Sequence, residues 1–263
     1  MDKQGINRIG EVNKNRFGTE MVLVEYTKHI DIVVEFQDKF KLRKKTRYSH
    51  FKEGNVRNPY DKEVFGVAYI GEGKYSSREN GKKTKAYTTW VNMIRRCYDP
   101  YTINKSRGMS YKDVTVCKEW HNFQNFAEWF ENNYYEIPGE KICLDKDILV
   151  KGNKVYSPDT CIFAPESING MFVYNKPQNK REPIGVHKEK YYGTYKVNYA
   201  VPGSKNGERK YKYVGSFRNV NDAFASYKKA KEDEIKRIAD KYKEYIPEKL
   251  YNALYLYEIQ LYS

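Results

Sequence analysis

The feature that most constrains this chain is a repeat of apolar residues that changes period several times along its length. Met21-Val22-Leu23-Val24-Glu25-Tyr26 and Asp31-Ile32-Val33-Val34-Glu35-Phe36 are β-branched runs around a turn at Lys28–Ile30, the pattern of paired strands. From Trp90 the apolar residues fall at i, i+3, i+4 and i+7 (Trp90, Met93, Ile94, Cys97), as on an amphipathic helix, with Arg95 and Arg96 on its other face. Phe123, Phe126, Ala127 and Phe130 repeat that spacing within 122–132. Strand-like runs return at Lys141–Leu149, Thr160–Ala164, Gly193–Tyr199 and Arg209–Phe217. A last long helix is expected from an N-cap at Asn221 to about Tyr245, with Pro247 breaking it. A chain of this pattern is neither a helical bundle nor one continuous sheet. It is expected to be α+β and multi-module.

The 263 residues exceed what one small core usually organises. Four segments are expected: a small barrel-like β module over 1–59, a Gly-, Ser- and Lys-rich connector over 60–85 that orders on a ligand, a mixed module over 86–180, and a three-stranded sheet with a helix and helical tail over 181–263. Gly71-Glu72-Gly73 is no phosphate-cradling loop, because no Gly-Lys-Ser/Thr follows.

Charge narrows the function. There are 48 Lys and Arg against 34 Asp and Glu, a net charge of +14. Counterion release on phosphate neutralisation rewards that balance, whereas a merely soluble basic surface would show it too. Twenty-six tyrosines, many beside Lys or Arg, add groups that stack on bases or donate to phosphates. Lys41–Arg47 carries five cations in seven residues and reads either as a phosphate track or as an edge strand protected by lysines. No apolar run approaches a membrane span, and Met1–Gly10 lacks a signal peptide's apolar stretch, so a cytoplasmic location is expected. Cys97, Cys117, Cys143 and Cys161 are widely spaced without a CxxC pair, which favours free thiols over zinc or disulfides.

In the middle module, Leu144-Asp145-Lys146-Asp147-Ile148, Asn153 and Asn169 after Ala164-Pro165 lie on a strand, turn, strand, short-helix layout. This stretch resembles the His-Me finger (HNH) nucleases. The resemblance implies that Asp145 and Asn169 hold one Mg²⁺ or Mn²⁺, that Asn153 takes the loop position, and that Lys146 stands where the family has its base histidine. A general base must be neutral near operating pH, and an exposed lysine with the ordinary pKa near 10.4 is not. His29, His50, His121 and His187 all lie outside the segment, His121 nearest in sequence. With Tyr87–Tyr98 and Val116–Trp120 included, the module resembles a group of bacteriophage HNH-type proteins, in which a basic residue at the Asp-His position is common.

The C-terminal segment resembles the ethylene-response (Apetala-type) DNA-binding domain, on Gly185-Val186, the strand Gly193–Tyr199, Tyr213-Val214-Gly215-Ser216-Phe217, and Ala223 and Tyr227 on a helix. That domain lays its sheet in the major groove. By this resemblance Lys188, Lys190, Tyr195, Lys196, Lys210, Lys212 and Arg218 face duplex DNA. Alternation puts Lys210 and Lys212 on one strand face, Tyr211 and Tyr213 on the other. Two functions follow as expectations: a homing-endonuclease-like protein that binds double-stranded DNA and nicks it with a divalent metal, or an inactive HNH-like scaffold that regulates, or inhibits a host defence protein.

Overall fold

The computed structural model of the chain describes residues 8–105, 113–172, 182–201 and 210–261. Packing divides the chain into two compact units, Met1–Asn132 and Asn133–Ser263. That division falls inside the expected 86–180 module, and the expected boundary at 180 lies outside the described residues.

The first unit opens with an antiparallel sheet of β1 (Val12–Lys14), β2 (Glu20–Lys28), β3 (Asp31–Phe36) and β4 (Arg43–Thr46), in the order β1-β2-β3-β4. It is an open meander, not the expected barrel. β1 pairs with β2 and β4 with β3, and these short outer strands remain edges. On the core face, Ile32, Val34 and Phe36 alternate along β3, and Met21 and Leu23 along β2. A bulge between Leu23 and Glu25 keeps Tyr26 on the same face despite the odd spacing. Helix α1 (Tyr48–Lys52) closes that face with Phe51, which is fully buried. Burying such a ring stabilises by about 1.5–3 kcal/mol.

The basic stretch Lys41–Arg47 contains the edge strand β4, whose cations have partners within the unit. Arg43 Nε lies 2.9 Å from Glu35, Lys45 Nζ lies 2.9 Å from Asp31, and Lys44 Nζ donates to the Arg57 carbonyl at 2.8 Å.

Residues 60–71 are packed rather than a loose connector, whereas 72–85 are mostly exposed. Asp61 is buried and accepts from Asn15 Nδ2 at 2.6 Å and from Thr19 Oγ1 at 2.5 Å. Gln124 Nε2 donates to the carbonyls of Ile70 and Tyr75 at 3.3 and 3.0 Å, which ties the glycine-rich stretch to α4 (Phe123–Asn133). Gly71 and Gly73 lack the Cβ that would collide with the side-chain amides of Asn122 and Gln124. Within the same stretch, β5 (Arg78–Glu79) and β6 (Lys82–Lys83) form a hairpin across Asn80-Gly81, both with positive φ, as a two-residue turn of the favoured hand requires.

Helix α2 (Lys85–Tyr98) starts at Thr84, whose hydroxyl accepts from the Tyr87 amide, and buries Trp90, Met93, Ile94 and Cys97 as their spacing predicts. Asp99-Pro100 ends it and opens a further turn, α3 (Pro100–Lys105). The short strand β7 (Thr115–Val116) precedes α4, and Trp90 Nε1 donates to the Trp120 carbonyl at 2.6 Å.

In the second unit, β8 (Ile142–Asp145) pairs antiparallel with β10 (Ile162–Pro165), with β9 (Val155–Tyr156) between them in sequence and α5 (Glu166–Asn169) after them. A sheet in the order β11 (Val186–Lys188), β12 (Tyr195–Val201), β13 (Lys210–Phe217) follows, then α6 (Val220–Tyr242) and α7 (Glu248–Tyr255). The N-cap of α6 is Asn219, two residues before the expected Asn221, and its side chain accepts from the Asn221 amide. One apolar core joins Ile148, Ile162 and Ile168 to Val186, Val197, Tyr227, Ile235 and Leu250. The finger-like segment and the C-terminal sheet therefore fold as one body. Among the described residues no helix is long and apolar enough to cross a membrane.

Candidate nucleic-acid interface and the ββα segment

The segment 142–169 has the strand, loop, strand, short-helix order that its sequence suggested, but its polar groups are spent on the loop. Asp145 Oδ1 accepts from the amides of Asp147 and Ile148, both at 2.7 Å, and so caps the turn that ends β8. Loss of solvation pushes its carboxyl above the ordinary range, although the two N–H donors pull the other way.

Lys146 is 7% exposed, and its ammonium donates to both carboxylate oxygens of Asp147 at 2.8 Å and to the Asn153 carbonyl at 2.7 Å. Asn153 Nδ2 donates in turn to the carbonyls of Lys146 at 3.0 Å and Val155 at 2.7 Å. The three N–H groups of Lys146 thus close the loop, leaving neither a lone pair for a proton nor a free donor for a phosphate. Asn153 is a loop staple rather than a substrate group.

The register sets Asp145 opposite Ile162, whereas Pro165, from which α5 springs, lies opposite Ile142 at the other end of the pair. Asn169 is half-buried on the last position of that single helical turn. A Mg²⁺ or Mn²⁺ site needs several free oxygen ligands. Here Asp145 Oδ1 accepts from two amides, and the Asp147 carboxylate accepts from the Lys146 ammonium. Among the described residues no group of three or more His, Cys, Asp or Glu side chains is gathered for a metal. His121 belongs to the first unit, where its Nε2 lies 3.3 Å from the Tyr98 hydroxyl, and burial holds its pKa below the usual histidine value. The four cysteines form no disulfide.

The sheet β11–β13 is covered by α6 on one face, against which Val197 and Tyr199 are buried. Register identifies the other face. His187 lies opposite Lys196, and Lys196 opposite Ser216. Between Val197 and Asn198 the pairing shifts by one residue, leaving Val214 without a partner, so that Asn198 meets Tyr213, Tyr199 meets Lys212 and Ala200 meets Tyr211. Counting back from Phe217, which lies opposite core-packed Tyr195, strict alternation would point Tyr213 and Tyr211 inward and Lys212 and Lys210 outward. The bulge inverts this. Tyr213 and Tyr211 face away from α6 and are 59% and 54% exposed. Lys212 turns to the helix side, lining a cleft of about 370 Å³ with Tyr199, Glu234 and Arg237, its Nζ 3.9 Å from the Glu234 carboxylate.

The expected DNA-facing set is therefore redistributed. Lys196 is on the outer face, its Nζ 5.7 Å from the Tyr213 ring centroid. Tyr195 packs on the core, and Lys188, its register partner, lies on the same side though exposed. Lys210 shares the side of Lys212. Lys190 is exposed in the β11–β12 loop beside Tyr191, and Arg218 is exposed where β13 leads into α6. Arg95, exposed, and Arg96, half-buried, belong to the first unit. Tyr211 and Tyr213 are the outer-face residues that strict alternation missed, and His187 is one that the resemblance left out. The signal was present, since Gly215 in the middle of a strand marks a bulge.

The helix side carries its own buried charges. Lys231 is 2% exposed, donates to the Ala200 carbonyl at 3.0 Å, and is pushed down by burial to about 8. Glu234 is held below the usual range by hydrogen bonds from Arg237, at 2.6 and 3.1 Å. Compared with protein-family models, with curated proteins and with solved structures, the chain matches none of them.

Proposed function

We propose that this chain is a DNA-binding protein that holds DNA on the outer face of β11–β13 and keeps its HNH-like ββα segment as a scaffold rather than a cutting centre. The observation that carries the reading is the register shift at Val214. It sets Tyr211 and Tyr213 with Lys196 and His187 on the one sheet face that the helix leaves bare. Lysines on such a face neutralise phosphates, and phenols add stacking and hydrogen bonding. The net charge of +14 and the resemblance of 185–227 to the ethylene-response domain support the same reading. The resemblance of 87–169 to phage HNH-type proteins supports a phage-type origin for the scaffold. The engagement of Lys146 and Asp145 within the loop supports its lack of cleavage.

The test is a gel shift with duplex and heat-denatured DNA between about 50 and 200 mM salt, alongside supercoiled plasmid incubated with Mg²⁺ or Mn²⁺. The expected result is binding that weakens as salt rises and no nicking. Binding indifferent to salt would overturn the interface. Nicking abolished by Asp145→Ala would overturn the scaffold reading.

A further inference from the structure

We infer that the outer face of β11–β13 takes a single strand of DNA, stacking its unpaired bases on Tyr213 and Tyr211. The inference rests on the DNA-binding reading and goes beyond it to the form of DNA bound, which the sequence alone suggested was duplex.

The two phenols stand two residues apart on β13 and on one face, hence roughly 6.5–7 Å apart along the strand. Bases stacked in a duplex follow one another at about 3.4 Å, and their faces are covered by their neighbours. Only an unstacked strand offers successive base faces to rings so placed. An exposed aromatic ring gains little from a groove floor, where hydrogen-bond donors and acceptors are read, and much from an open base face.

The surroundings suit the same occupant. Lys196 lies beside Tyr213, two residues along β12 from that ring's register partner Asn198 and nearer the β11–β12 loop, where it would neutralise the backbone of a strand running along the sheet. His187 sits across from it on β11. The Tyr213 hydroxyl donates to Ser216 Oγ at 3.2 Å, which limits the ring's freedom before a base arrives. The nearby carboxylate of Glu189 accepts from Thr194 and Ser216. At the loop end, Tyr191 and Tyr192 are 85% and 80% exposed, which extends the run of bare rings beyond the sheet.

The experiment is fluorescence anisotropy of the full chain with labelled oligo-dT and with a labelled duplex of equal length at one low salt concentration. Single strand should bind at least about tenfold tighter than duplex. Tyr213→Ala and Tyr211→Ala should each weaken oligo-dT binding about 5- to 100-fold, while Tyr213→Phe stays within about twofold of wild type. Both rings are exposed, so circular dichroism should show the variants folded. Duplex bound as tightly as single strand, or alanine variants that bind oligo-dT like wild type, would overturn stacking and leave DNA binding standing. Failure to bind either form would overturn the DNA-binding reading itself, and stacking with it.

Discussion

The Lys146 ammonium lies 2.8 Å from each carboxylate oxygen of Asp147, its sequence neighbour. With the Asn153 carbonyl as third acceptor, this contact closes the loop after β8. Lys146→Met leaves Asp147 unpaired, but that carboxylate is nearly half exposed and recovers water. The expected loss is about 1–2 kcal/mol, read as a lower urea midpoint. Lys146→His should lose stability likewise and gain no nicking of supercoiled DNA, because Asp145 stays committed to the amides of Asp147 and Ile148. Nicking by Lys146→His that disappears on adding Asp145→Ala would show that only the base had been missing.

Lys231 gives the fold a pH dependence whose sign is fixed by its surroundings. Burial lowers it from 10.5 to about 8 in the folded chain. The unfolded chain therefore holds that proton more tightly, and losing it favours folding. Stability from this group should rise between about pH 8 and 10.5, by about 3 kcal/mol in all, and stay flat below. Urea midpoints of wild type and Lys231→Met, compared across that range, should differ by this rise. Parallel profiles would show that Lys231 is not buried.

Gly185 has φ +74°, and a Cβ built there would fall 2.0 Å from the Tyr227 ring. Tyr227 is buried on α6 and cannot yield cheaply. Gly185→Ala should cost at least about 2 kcal/mol, combining backbone strain with overpacking, and should lower the melting temperature of the second unit. A substitution without effect would mean that β11 does not ride on α6 as described.

The α+β character and most elements were legible in the sequence because local rules decide them. The spacing of Trp90, Met93, Ile94 and Cys97 located α2, and the β-branched runs located β2 and β3. What escaped was set by long-range pairing. The barrel failed because no pattern within β1 or β4 states whether two edges meet. The stretch 60–85 looked loose because its order comes from Gln124, about fifty residues away in sequence. The Asn80-Gly81 hairpin was a readable signal left unused. At the site, Asp145, Lys146 and Asn153 were located correctly in sequence, but the chemistry assigned to them came from a resemblance. Their hydrogen bonds, all within residues 145–155, assign them to the loop. On β13 a single unpaired residue, Val214, was enough to exchange lysines for tyrosines on the outer face.

That exchange is what the account stands on, and the salt dependence of DNA binding tests it most directly. Log affinity plotted against log salt should be shallower for Lys196→Ala than for wild type by about 0.7–0.9, the loss of one phosphate contact. Lys212→Ala, on the helix side with Glu234, should keep the wild-type slope. The contrary result, a slope reduced by Lys212→Ala and untouched by Lys196→Ala, would place the DNA on the other face and contradict the account.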